Sequence, residues 1–157
     1  DLQLNISEEE HGSYLGKSPV QMWKEVTLRH GLLNNAEELA QKNSDAIIKY
    51  FSSLDKIDLI PGVKDFLDKV FDKGIPMALA SSSDVRTIDL FLSKTGLEKY
   101  FLHKVSTEIV GKSKPEPDVY LFTAQLLSLA PEECLRHRSV QIRAYFLPMI
   151  RSSPGAR

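Results

Sequence analysis

Apolar residues recur at helical spacing through the first third of the chain, and after Pro61 short apolar runs begin to alternate with helical stripes. Ser7 before Glu8, Glu9 and Glu10 reads as a helix start with acids in its first turn. Gly16-Lys17-Ser18-Pro19 breaks that helix and opens another, with Ser18 as N-cap and Pro19 at the first helical position. Val20, Trp23, Val26 and Thr27 supply its stripe, and Gly31 ends it. Asn34 or Asn35 can start a third helix, with Leu39, Ala40, Ile47, Tyr50, Phe51 and Leu54 facing inward. The pattern predicts a small helical bundle over this region, with no strand.

Ile60-Pro61-Gly62 marks a boundary, because the residue before a proline is pushed away from helix. Val63, Phe66, Leu67, Val70 and Phe71 form the next helical face, which Gly74 ends. Ile75 to Ala80 predicts a strand buried on both faces, since the run is too short for a helix. It stops at Ser81-Ser82-Ser83, and Asp84 opens a helix with Val85, Ile88, Phe91 and Leu92 on one side. A second strand is predicted at Leu102 to Ser106. Two prolines forbid helix across Lys114-Pro115-Glu116-Pro117, but Pro117 can begin one with Tyr120, Leu121, Ala124, Leu126 and Leu127 inward. Strands alternating with helices imply an α/β fold with a parallel sheet. Pro131 to Leu135 should lead into another buried strand, yet Arg136-His137-Arg138 follows, and charges there are costly to desolvate. Val140, Ile142, Ala144 and Phe146 alternate as a strand would, and residues 151–157 read as a disordered tail.

Composition narrows the classes of function. The chain of 157 residues is 42% hydrophobic and 26% charged, as a soluble domain is. A formal net charge of −1 gives no reason to expect nucleic acid or an anionic membrane as partner. No apolar run approaches membrane-spanning length, and the N-terminus lacks the basic start and apolar middle of a signal peptide. The first residue is Asp1, so the chain is expected to begin inside a longer protein. Cys134 is the single cysteine; it suits a reducing cytoplasm and is expected to be a small buried hydrophobe.

Candidate chemistry gathers where the first strand ends. Ligands of parallel α/β sheets sit at the carboxyl ends of strands, where helix N-termini favour anions. Ser81 and Ser82 stand there, and Lys114 follows an element ending at the same edge, so a hydroxyl and an ammonium could hold a phosphoryl group together. On spacing alone, turn-forming serines and a solvated lysine remain the ordinary account of both. Lys112 competes with Lys114 for the role. His11, His30, His103 and His137 lack metal-ligand spacing, Trp23 reads as core, and Glu8 to Glu10 read as a solvated helix start.

Several motifs in order change the balance: Pro61-Gly62-Val63, Ala78-Leu79-Ala80-Ser81-Ser82-Ser83, Ser113-Lys114-Pro115-Glu116-Pro117-Asp118, and Pro131-Glu132-Glu133-Cys134. Over about residues 6–135 the chain resembles the β-phosphoglucomutase-like branch of the haloacid dehalogenase superfamily. The resemblance implies a Rossmann-like core at residues 58–150 and an N-terminal helical cap domain at residues 1–57. It implies that Ser81 and the Ser82 N–H bind the transferring phosphoryl group, that Lys114 pairs with it, and that Lys17 and Ser18 face the substrate from a cap loop. It implies magnesium, an aspartyl-phosphate, and a small phosphorylated metabolite, most simply a sugar phosphate. Phosphatase chemistry is expected before phosphomutase chemistry.

Two departures qualify this expectation. No Asp-x-Asp occurs anywhere, although the family's nucleophile lies in such a sequence on a central first strand. Arg138 and Ser139 fall where the family places a pair of acids holding magnesium, and no other metal ligands are evident. A sheet without that first strand should have an open edge prone to association. The chain is therefore expected to be an incomplete version, with a catalytically silent, phosphate-binding or regulatory remnant as the alternative; a reading-frame disturbance near codon 136 would explain the second departure.

Overall fold

Three polar side chains start the three N-terminal helices, each by accepting a backbone N–H that the first turn leaves without a partner. In the computed structural model, which describes residues 4–112 and 114–136, Ser7 starts α1 (Glu8–Ser13), Ser18 starts α2 (Pro19–His30) and Asn35 starts α3 (Ala36–Ser53). Gly31 closes α2 in the left-handed conformation, and the Leu32 N–H returns to the Thr27 carbonyl. Tyr14, Met22, Trp23, Val26, Leu39 and Ala40 close over one another as a first apolar cluster, with Trp23 only 1% exposed.

The second cluster forms where helices cover a small sheet. After α4 (Val63–Asp72), β1 (Ala78–Ser81) runs parallel to β2 (His103–Ser106), with Ala78 opposite His103 and Ser81 opposite Ser106. Between them α5 (Val85–Thr95) buries Ile88, Phe91 and Leu92 against Phe51, Val63 and Leu67. The short α6 (Thr107–Val110) follows β2, and α7 (Asp118–Leu126) packs across both strands. The fold is thus mixed α/β with a small parallel sheet, as predicted. α3 belongs to both clusters: Leu39 and Ala40 lie in the first, Phe51 in the second.

Several faces differ from the pattern read along the sequence. The first strand begins at Ala78, three residues late, and is half-buried along its whole length. Pro76 has no N–H to give to a sheet, Ile75 is 51% exposed, and among the described residues β1 pairs with β2 alone. In α7 the buried positions are Val119, Thr123 and Ala124, so the inner face is rotated, and Leu121 and Leu126 are exposed. Thr123 tolerates burial because its hydroxyl donates back to the Val119 carbonyl at 2.6 Å. Tyr50, Phe66, Phe71 and Val85 are likewise exposed rather than inward. Phe71 instead sets its ring edge-on to Tyr100, with centroids 5.6 Å apart.

Cys134 is exposed, not buried, and Leu135 is 93% exposed, so no buried strand starts there among the described residues. The sequence readings at Asp1, Ser113, His137, Arg138, Ser139, residues 140–146 and the tail 151–157 fall outside the described residues. Among the described residues no helix is long and apolar enough to cross a membrane.

Candidate active site

The turn from Ser81 to Asp84 is held at every residue. The Ser81 hydroxyl accepts from the Ser83 N–H at 3.1 Å, a local bond that lets the chain leave the strand sharply. The Ser83 carbonyl accepts at 2.7 Å from the hydroxyl of Ser106, the fully buried residue opposite Ser81 in the sheet register. Ser82 donates its hydroxyl to the Gly16 carbonyl at 2.7 Å, far across the sequence. Asp84 caps α5, accepting from the Thr87 N–H at 3.0 Å and its hydroxyl at 2.8 Å, and also from the Ser44 hydroxyl of α3 at 2.7 Å. Burial alone would raise the Asp84 carboxyl; the bonds from Ser44 and Thr87, with Arg86 nearby, outweigh it and hold the group below its ordinary value.

Lys114 reaches this turn from the other side of the sheet edge. Its ammonium donates to the Ala80 carbonyl at 3.0 Å, one residue before Ser81, and lies 5.3 Å from the centre of the Tyr120 ring. Arg136 sits over the same ring at 5.0 Å. The structure therefore brings Lys114 and the serine turn together, although 33 positions separate Ser81 from Lys114 in the sequence. Lys112 goes elsewhere: it pairs with Asp118 at 2.9 Å, a contact that raises the lysine and lowers the aspartate.

The charge balance distinguishes Lys114 from its neighbours. Lys17, Lys24, Lys104 and Lys112 each meet a carboxylate within 3.2 Å. Among the described residues Lys114 forms no ion pair; its partners are a carbonyl and a ring. A half-buried ammonium beside exchangeable hydroxyls and a helix start is an arrangement suited to an oxyanion.

A cleft of about 360 Å³ opens beside it, with Lys17, Gln21 and Lys24 on one wall and Lys114 and Glu116 on the other. Lys17 thus faces Lys114 while pairing with Glu25 at 2.5 Å. Ser18 is not among the lining residues; its hydroxyl accepts from the Gln21 N–H at 3.3 Å and starts α2. Gln21 and Lys24 escaped the sequence reading, although their spacing of three places both on one face of α2. Ser44 and Ser106 gave no local signal at all.

Glu10 is also more than a solvated helix start. Its side chain is 13% exposed and accepts from the Tyr14 hydroxyl at 2.6 Å, with a His30 ring nitrogen at 2.8 Å and Arg29 at 3.6 Å. The Tyr14 bond holds Glu10 low, assisted by His30 and Arg29 against the effect of burial. Burial and then Glu10 push the Tyr14 phenol up to about 12.

Magnesium does not fit these residues. Among the described residues no group of three or more His, Cys, Asp or Glu side chains converges to hold a metal. The turn itself offers hydroxyls and an ammonium, which suit an anion.

The chain is 30% identical over 122 residues to a bifunctional riboflavin kinase/FMN phosphatase of Arabidopsis thaliana, covering 77% of this chain and 31% of that protein. It is 33% identical over 105 residues to hexitol phosphatase A of Escherichia coli strain K12, covering 62% and 48%. Against beta-phosphoglucomutase of Bacillus subtilis strain 168 it is 31% identical over 102 residues, covering 64% and 44%. The chain spans less than two thirds of the length of these relatives. Residues 2–135 match the haloacid dehalogenase-like hydrolases, and the chain belongs to that family.

Proposed function

We propose that the chain carries the phosphate-binding side of a phosphatase of the β-phosphoglucomutase-like branch, acting on a small phosphorylated metabolite, most simply a sugar phosphate in the cytoplasm. In this reading residues up to about 57 are the cap and those from about 58 the core. The Lys114 ammonium neutralises a phosphoryl oxygen, while the Ser81 hydroxyl and the Ser82 N–H fix its orientation. Lys17, Gln21 and Lys24 face the organic part of the substrate from the cap wall. The observation that carries the reading is the position of Lys114: at the end of β1, 3.0 Å from the Ala80 carbonyl, with no carboxylate paired to it among the described residues.

Phosphoryl transfer in this family needs a carboxylate nucleophile, and this sequence has no Asp-x-Asp. That observation favours a second reading, in which the chain as it stands binds phosphate esters without turning them over. The chemistry assigned here accordingly stops at binding and orientation and does not run through magnesium.

The test is hydrolysis of a generic phosphate ester by the purified chain, with and without magnesium, beside Lys114→Ala. Turnover that disappears in Lys114→Ala supports the enzyme. A folded chain that binds orthophosphate in a Lys114-dependent way, without turnover, supports the second reading. Orthophosphate binding that is unchanged in Lys114→Ala refutes both.

A further inference from the structure

Two tyrosine rings each lie beside two cations, and the two pairs are balanced differently. At Tyr14 the cations are Lys17 and Arg29, and both reach carboxylates, Glu25 at 2.5 Å and Glu10 at 3.6 Å. At Tyr120 they are Lys114, 5.3 Å from the ring centre, and Arg136, 5.0 Å from it. Among the described residues neither of these two is in an ion pair. Because both distances are measured to one ring centre, the two charges can be no further apart than the sum of the two.

The cations come to that ring from opposite ends of α7. Lys114 precedes the helix and is tied to β1 through the Ala80 carbonyl, and Arg136 follows the short turn Pro131–Glu133 that packs on α7. Tyr120 stands half-buried in the first turn of the helix. A ring face attracts a cation but carries no formal charge to cancel it, so Tyr120 gathers two like charges and neutralises neither. The acids nearby are mostly engaged: Asp118 pairs with Lys112 at 2.9 Å, and Glu133 accepts from the Ala130 N–H at 2.8 Å. Glu116, on the cleft wall beside Lys114, is the acid placed to compete with a ligand. Residues 137–157 contain no Asp or Glu, so the sequence after Arg136 brings no carboxylate side chain to it.

We propose that Arg136 is a second binding residue of the anion site, and that Lys114 and Arg136, gathered by Tyr120, hold a dianionic phosphate group without a divalent metal. The identity of the anion rests on the function proposed above. A guanidinium offers a planar fork of N–H donors that matches two phosphate oxygens, and an ammonium acts as a point charge on a third. Among the described residues no carboxylate set converges to hold a metal, and the charge this chain brings to the turn comes from these two side chains. Tyr120 is a positioning residue in this arrangement, acting through its ring face.

The test is calorimetry of sodium orthophosphate binding to the whole chain at pH 8, once with EDTA and once with magnesium. The parent chain is expected to bind equally well in both. Arg136→Gln should weaken binding about tenfold, as the loss of a charge-assisted contact at an open site does, with unchanged far-ultraviolet circular dichroism. Arg136→Lys keeps the charge but not the fork and should weaken it less. Tyr120→Phe should keep the parent affinity while Tyr120→Leu loses part of it, since the ring face and not the hydroxyl gathers the cations. Lys99, exposed and 4.9 Å from the Tyr100 ring, gives the control: Lys99→Gln should leave the affinity unchanged. Arg136→Gln at the parent affinity, beside a weakened Lys114→Met, overturns this inference and leaves the proposed function standing. Equal losses in Lys99→Gln and Arg136→Gln, or binding that appears only with magnesium, overturn it as well. A parent chain that binds no orthophosphate in either buffer overturns the inference and the anion site together.

Discussion

Truncating Phe51 to alanine tests whether α3 ties the two apolar clusters into one folding unit. The helix is 18 residues long, about 27 Å at the usual rise, and presents Leu39 and Ala40 at one end and Phe51 at the other. Phe51 is 2% exposed and sets its ring near edge-on to Phe91, with centroids 6.5 Å apart. Removing a ring this buried costs about 3–5 kcal/mol through lost transfer energy and the cavity left behind. An unfolding entropy of about 2.1 cal/mol/K per residue gives roughly 0.33 kcal/mol/K for 157 residues, so the melting temperature should fall by about 9–15 °C. The assay is a thermal melt followed by far-ultraviolet circular dichroism and by fluorescence of Trp23. That tryptophan is the only one in the chain and lies in the other apolar cluster. If α3 couples the clusters, both signals move together in Phe51→Ala. A dichroism midpoint that falls while the Trp23 midpoint stays at its wild-type value would refute the reasoning, because the clusters would then melt independently.

The Glu10 cluster sets an acid limit: its carboxyl is held low, so its contribution is present above the ordinary value of 4.5 and is lost as pH falls through the lowered one. The wild-type melting temperature should therefore drop more between pH 6 and pH 3 than that of Glu10→Gln, and equal drops would remove Glu10 as a contributor. Gly96, at φ +66°, ends α5 with open space where a Cβ would stand, so Gly96→Ala should cost only backbone strain, about 1–2 kcal/mol by denaturant midpoint. A neutral result would mean that the C-terminal turn of α5 relaxes freely. Cys134 is exposed and free, so a thiol reagent should modify it fully in the folded chain; labelling only in denaturant would contradict that exposure.

Local chemistry was the legible part of this fold, because a helix start or stop is decided within four residues. Ser7, Ser18 with Pro19, Asn35, Gly31 and Asp84 all take the roles their sequence positions imply. Burial was read less well at Tyr50, Phe66, Leu121 and Leu126, since periodicity gives a face but not what lies opposite it. A stripe one position wide of the true face looks equally periodic in sequence, and only the packing of α7 across β1 and β2 selects Val119 and Thr123 over Leu121. Ile75 failed for a related reason: a strand's burial belongs to its neighbours, and β1 has one among the described residues.

The site divides along the same line. Ser81 and Lys114 could be paired before any coordinates, because a strand end, a serine turn and a Lys-Pro pair recur in a fixed order that a family resemblance makes specific. The surroundings of Lys114 were invisible in sequence: Lys17, Lys24, Lys104 and Lys112 meet carboxylates, while among the described residues Lys114 meets a carbonyl and an aromatic ring, much as Lys94 meets two carbonyls and Lys99 a ring. A partly buried ammonium with three donors, one on a carbonyl and its charge near a ring face, keeps donors to spare for an anion. Neutralising Lys114 should accordingly leave stability unchanged or raise it while orthophosphate binding falls. A Lys114→Met chain that is both less stable and equally good at binding would show that the ammonium is structural.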